Sequence, residues 1–171
     1  VIDVDDSEWD RVMDTNVKSI MLSSKYAIPK MIENGGGSII TLSSIAGLRA
    51  NSSTPYTTSK FAVIGLSQSM AADHGPDNIR VNCIAPGLIY SPMESARMDE
   101  LHSNRRTRYA PLRTEGTPWD VAWAAVYLAS DEARWVTGVV LPVDAGLSIL
   151  SPSTYAPLSK QEFDSQQKTG F

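Results

Sequence analysis

Between Ser38 and Ile84 the chain runs through a short apolar stretch, a long apolar helix and a second short apolar stretch, and few folds accept that order. Ser38-Ile39-Ile40-Thr41-Leu42-Ser43 and Ile79-Arg80-Val81-Asn82-Cys83-Ile84 are short and rich in β-branched residues, which predicts strands of the buried, parallel type. Thr54-Pro55 offers a cap and a first-turn proline for the helix between them. Phe61, Ala62, Val63, Ile64, Leu66, Met70 and Ala71 make that helix apolar over most of its circumference, so it is expected to be covered on both sides. His74-Gly75-Pro76 predicts its stop, with glycine in the left-handed position beyond the last turn.

The flanks extend the pattern. Asp6-Ser7 are N-cap candidates for apolar residues at helical spacing from Trp9 to Ile32, read as two abutting helices that end at Asn34 before Gly35-Gly36-Gly37. After Ala85-Pro86-Gly87 comes a long mixed segment, then a helix from Pro118 to Ser130, then Val139-Val140-Leu141-Pro142-Val143. The proline in this last strand implies an edge or end position. The order α-α-β-α-β-α-β is that of an α/β parallel sheet. Residues 1–150 form its single domain, and the polar stretch 151–171 is expected to be a loose tail.

Composition removes several classes of function. A net charge of −4 offers no field for nucleic acid or an anionic membrane surface. One cysteine and two histidines give neither an internal disulfide nor a soft metal site, so the chain reads as cytoplasmic and metal-free. No apolar run approaches the roughly 20 residues that span a bilayer. The chain begins with Val1 rather than Met and is expected to be the C-terminal part of a longer protein.

The chemistry is concentrated around Tyr56-Thr57-Thr58-Ser59-Lys60. At i and i+4 the phenol of Tyr56 and the ammonium of Lys60 share one helix face near the positive N-terminal end, where both influences favour a phenolate. Ser43-Ser44 stands at the carboxyl end of a parallel strand, where open α/β sheets place their ligands. An acid/base phenol, an ammonium and a hydroxyl near one carbonyl suit carbonyl–alcohol redox chemistry.

The YxxxK spacing has company: Trp9-x-x-Val12-Met13-x-x-Asn16 upstream, Gly37-Ser38-Ile39-Ile40-x-x-Ser43-Ser44-x-x-Gly47, then Arg80-Val81-Asn82-x-x-x-Pro86-Gly87, Thr137-Gly138 and Val143-Asp144-x-Gly146. In that order the set resembles the short-chain dehydrogenase/reductase family over roughly Asp5 to Gly146. The resemblance implies part of a Rossmann-type doubly wound parallel sheet, the C-terminal portion of a three-layer αβα domain. It further implies an oxidoreductase that uses NAD or NADP on a small-molecule alcohol or ketone, as a homodimer or homotetramer. By the same resemblance Tyr56 is the catalytic acid/base, Lys60 its tuner and a ribose ligand, Ser44 the residue that polarises the substrate oxygen, and Asn16 the end of a water-linked proton relay. Ser43 is the neighbour that a register error would put in the place of Ser44. Pro86 and Gly87 match the turn beside the nicotinamide, and Ile89 and Ser91 match positions that contact its carboxamide, serine standing where the family has threonine.

The glycine-rich phosphate loop TGxxxGxG and the Asn-Asn-Ala-Gly run of that family have no counterpart in these 171 residues. The alternative reading is therefore an inactive truncated chain that serves as an interaction partner through helices 8–34 and 54–74. The segment from Leu88 to Thr117 falls where the family places its substrate lid. Trp119 and Trp123 are read as packing or subunit-contact residues, and Cys83 as a small core residue.

Overall fold

A computed structural model describes residues 1–50, 53–90 and 110–151. Helix α1 (Asp6–Met13) runs through a π-helical turn (Asp14–Lys18) into α2 (Ser19–Glu33), and strand β1 (Gly37–Leu42) follows. A 3-10 turn (Ile45–Gly47) leads to α3 (Thr54–His74), β2 (Ile79–Pro86), α4 (Pro118–Ala129) and β3 (Val140–Val143). The strands form one parallel sheet in the order β1-β2-β3, with Gly37 opposite Ile79 and Cys83 opposite Val140. Pro142 lies in the edge strand, as its missing N–H requires.

Side chains alternate across a strand, and here the alternation builds three layers. Ile79 and Val81 of β2, with Ile39 of β1, pack against Ile28 of α2 and Met70 and Ala71 of α3. Ser38 and Arg80, of the opposite parity, reach the other face, where both donate to the Leu128 carbonyl at the end of α4, at 2.9 and 2.8 Å. Val81 is fully buried, and removing a side chain of that size from water is worth about 2 kcal/mol. No helix among the described residues is long and apolar enough to cross a membrane.

Four local expectations are corrected. The cap of α1 is Asp5, whose carboxylate accepts from the Ser7 and Glu8 amides at 2.9 and 3.1 Å, one residue ahead of Asp6-Ser7. The cap of α3 is Ser53 rather than Thr54, and its side chain makes no capping bond. Gly75 stays right-handed, because a 3-10 turn (Gly75–Asp77) prolongs the helix, and the left-handed position falls on Asn78 at φ 59°. Helix α3 is buried along a single stripe of Pro55, Ser59, Val63, Ser67, Met70 and Ala71, and Phe61 stays 46% exposed. An apolar circumference does not tell how many sides are covered.

Candidate active site

Lys60 sits half-buried in the second turn of α3, and its ammonium donates to the Leu42 carbonyl at the end of β1, 3.0 Å away. The same nitrogen lies 5.5 Å from the centre of the Tyr56 ring, within reach of the ring's negative face. Burial pushes the Lys60 ammonium below the ordinary lysine range. Tyr56, in the first turn of α3, is 37% exposed. The pair is thus arranged as the i, i+4 spacing implies, with the ammonium inward and the phenol toward solvent.

The two serines at the end of β1 divide their work. Ser43 is buried, and its hydroxyl donates to the Lys60 carbonyl at 2.8 Å, tying β1 to α3. Gly47 closes over the same carbonyl: a Cβ there would stand 2.6 Å from it and 2.4 Å from the Ser43 oxygen, so only glycine fits. Ser44 is half-buried and opens the 3-10 turn, its oxygen accepting from the Ala46 amide at 3.1 Å. That bond uses a lone pair and leaves the Ser44 O–H proton to donate. Of the two hydroxyls, the one on Ser44 suits a substrate oxygen.

Asn16 is held by the π-helical turn, which the sequence analysis read only as the junction of two helices. The extra residue per turn rotates the helix face, and the Asn16 amide donates to Ser59 on α3 at 3.0 Å. Asn16, Lys60 and Leu42 line one cavity of about 350 Å³, together with Thr15, Ser19, Ser23 and Ser24. Ser44, Tyr56, Pro86, Gly87 and Ile89 lie outside that lining.

Pro86 ends β2, the strand beside β1, so its turn occupies the neighbouring carboxyl end of the sheet. Gly87 donates to the Val143 carbonyl at 2.9 Å, and a Cβ on it would stand 2.7 Å from the Asp144 Cα. Ile89 forms a single bridge with Gly116. Ser91 lies outside the described residues, as does most of the expected lid, residues 91–109. Sequence reasoning missed Ser59, although a hydroxyl at i+4 from Pro55 and i−4 from Val63 on a buried stripe was a visible signal. It also left Arg80 and Asn82 without a role. Arg80 donates to the carbonyls of Leu128, Val136 and Ser130, and Asn82 donates to Val136 and accepts from the Val139 amide.

The chain is similar to several known proteins. A family model described as enoyl-(acyl carrier protein) reductase matches residues 1–148. The chain is 41% identical over 144 residues to the 3-oxoacyl-[acyl-carrier-protein] reductase of Chlamydia muridarum, a match covering 84% of this chain and 58% of that protein. It is 36% identical to human dehydrogenase/reductase SDR family member 4, over 85% of this chain and 53% of the human protein. Among solved structures, 7α-hydroxysteroid dehydrogenase, complexed with NADH and 7-oxo glycochenodeoxycholic acid, superposes with a TM-score of 0.81 at 37% identity, over 84% of this chain and 57% of that one. The chain spans little more than half the length of these relatives. With that match to the family model and to relatives at this identity, the chain belongs to the short-chain dehydrogenase/reductase family.

Proposed function

We propose that this chain supplies the proton-transfer half of a nicotinamide-dependent oxidoreductase that interconverts a secondary alcohol and a ketone. The observation that carries the reading is the pairing of Tyr56 and Lys60 on the first turns of α3; Ser44, after β1, keeps a hydroxyl proton to donate. Residues fit for the nicotinamide end of NAD or NADP are present: Lys60 and Asn16 on one cavity, and Pro86, Gly87 and Ile89 at the next strand end. Gly87 packs so closely on Asp144 that a Cβ there would stand 2.6 Å from the Asp144 Cβ, which holds that turn to glycine. When bound, the nicotinamide supplies or accepts the hydride.

The protein's own residues handle the oxygen. Ser44 donates to the substrate carbonyl and orients it, and the Tyr56 phenol delivers the proton to that oxygen in reduction or removes it in oxidation. Lys60 holds positive charge one turn away from the phenol. Its bond to the Leu42 carbonyl anchors it against β1.

The test is Tyr56→Phe in this chain joined to a nucleotide-binding segment of the family, assayed for reduction of ethyl acetoacetate with NADH and with NADPH. Turnover should fall at least about a hundredfold, the share that a positioned acid/base contributes, while nucleotide affinity is retained. Activity that survives the change removes Tyr56 from the role.

A second copy of this chain is the partner we propose for α4. Trp119 and Trp123 are 71 and 66% exposed, and Val126 and Tyr127 continue the same apolar surface. Aromatic patches of this kind are typical of contact surfaces.

A further inference from the structure

We propose that Ser59 is the positioning residue that fixes Tyr56 and Lys60 relative to Asn16; this rests on the oxidoreductase reading. Ser59 lies between the two in sequence and is fully buried on the inner stripe of α3. Its hydroxyl accepts from the Asn16 side-chain amide at 3.0 Å and donates to the Tyr56 carbonyl at 2.7 Å. The two bonds define each other: once the Ser59 proton goes to the carbonyl, Asn16 must present its N–H, which sets the orientation of its amide. The result is a three-member relay from the π-helical turn to the backbone of the acid/base residue. It replaces direct contact between Asn16 and Tyr56 with a link through the turn that carries Tyr56.

Helix α3 holds its own control. Ser67, two turns further on the same stripe, is equally buried and donates to the Val63 carbonyl at 2.6 Å, so its local bond mirrors that of Ser59. Its outward partner is Thr41 on β1, at 2.6 Å, and not a residue of the site. Both serines tie the helix down, and only Ser59 ties down the end that bears Tyr56 and Lys60. Losing a hydroxyl at either place removes comparable bonding from the fold. A loss at Ser59 also frees the first turn to rotate against Asn16, and a small misplacement of a reacting group lowers the chemical step without weakening binding.

The experiment compares Ser59→Ala, Ser67→Ala, Asn16→Ala and the Asn16→Ala/Ser59→Ala double variant. The first readout is amide hydrogen exchange by NMR on the 171-residue chain. Exchange at residues 56–60 should quicken about tenfold in Ser59→Ala and stay near the parent rate in Ser67→Ala. The second is steady-state reduction of ethyl acetoacetate with NADH or NADPH by this chain joined to a nucleotide-binding segment of the family. Ser59→Ala should lower kcat roughly tenfold with KM changed less than about twofold, Ser67→Ala should leave both near the parent, and the double variant should be little worse than Ser59→Ala. If the parent turns over and Ser59→Ala matches it, the positioning role is overturned and the oxidoreductase reading stands. If the parent reduces nothing, that reading fails, and the exchange rates decide the structural claim: equal exchange in Ser59→Ala and Ser67→Ala overturns it.

Discussion

Helices α3 and α4 begin alike, each with a proline in its first turn and an apolar sequence behind it, yet they are used in opposite ways. Helix α3 buries a stripe in which serines alternate with apolar residues, and those serines bind the π-helical turn and β1. Only Leu128 of α4 is buried, and α4 is fastened from its C-terminal end, where Ser38 and Arg80 hold the Leu128 carbonyl. Hydrogen bonds along the length of α3 fix its rotation, which a site made of side chains one turn apart requires. Fastening at one end fixes the position of α4 and leaves its outer face for contact. The two helices show that apolar content alone does not report what a helix is for.

The largest expected effect falls on the device that holds α4 and its strand. Asn82 is fully buried, donates to the Val136 carbonyl at 2.9 Å and accepts from the Val139 amide at 3.1 Å. Asn82→Ala strands the Val139 amide and leaves the Val136 carbonyl only the long 3.5 Å bond from Arg80, at a cost of about 2 kcal/mol in urea unfolding. A loss below about 1 kcal/mol would mean that the loop after α4 carries its own weight. A smaller change probes the exposed face. Trp123→Glu should leave the stability of the chain within about 0.5 kcal/mol, because Trp123 is largely solvent-exposed, while it abolishes self-association in analytical ultracentrifugation. A variant that associates as the parent does would remove the second copy from α4.

Much of this contrast was legible before any coordinates. Short β-branched runs separated by a long helix specify a parallel sheet, since strand and helix lengths and the buried character of both runs agree, and Pro142 placed the last strand at an edge. Tyr56 and Lys60 were legible because i, i+4 spacing is a fixed property of helices. The cap of α1 was missed by one residue because Asp5, Asp6 and Ser7 are all competent caps, and residue type alone does not rank them. The π-helical turn at Asn16 was illegible for a deeper reason. No composition marks it, and the partner of its Asn16, Ser59, lies 43 residues away in the chain. The exposed face of α4 was likewise hidden, because tryptophan spacing looks the same on a packed helix as on an open one.

The smallest effect separates the two helices by charge, at opposite ends of the pH scale. In α4 the charged group is Asp120, whose carboxylate accepts from the Thr117 amide at 2.6 Å and from its hydroxyl at 2.8 Å, and these bonds hold it below the usual carboxylate range. A carboxyl depressed by folding stabilises the fold above its unfolded pKa, and that share is lost as pH falls through the folded value. In α3 the shifted group is Lys60, depressed by burial. Here the unfolded chain keeps its proton to higher pH than the fold does. Between the folded and unfolded values, unfolding takes up a proton, so raising the pH through that window stabilises the fold. Below it the ammonium is charged in both states and the fold bears the full cost of burying it. Urea unfolding of the parent and of Lys60→Met, compared across the alkaline range just beneath the ordinary lysine value, should show the parent gaining on the variant as pH rises. Thr117→Ala should instead diverge from the parent above the carboxylate range and converge on it in acid. A Lys60 difference that shrinks with rising pH would mean that the Leu42 carbonyl outweighs desolvation and that the ammonium is held in α3 as a bound charge, much as the carboxylate is in α4.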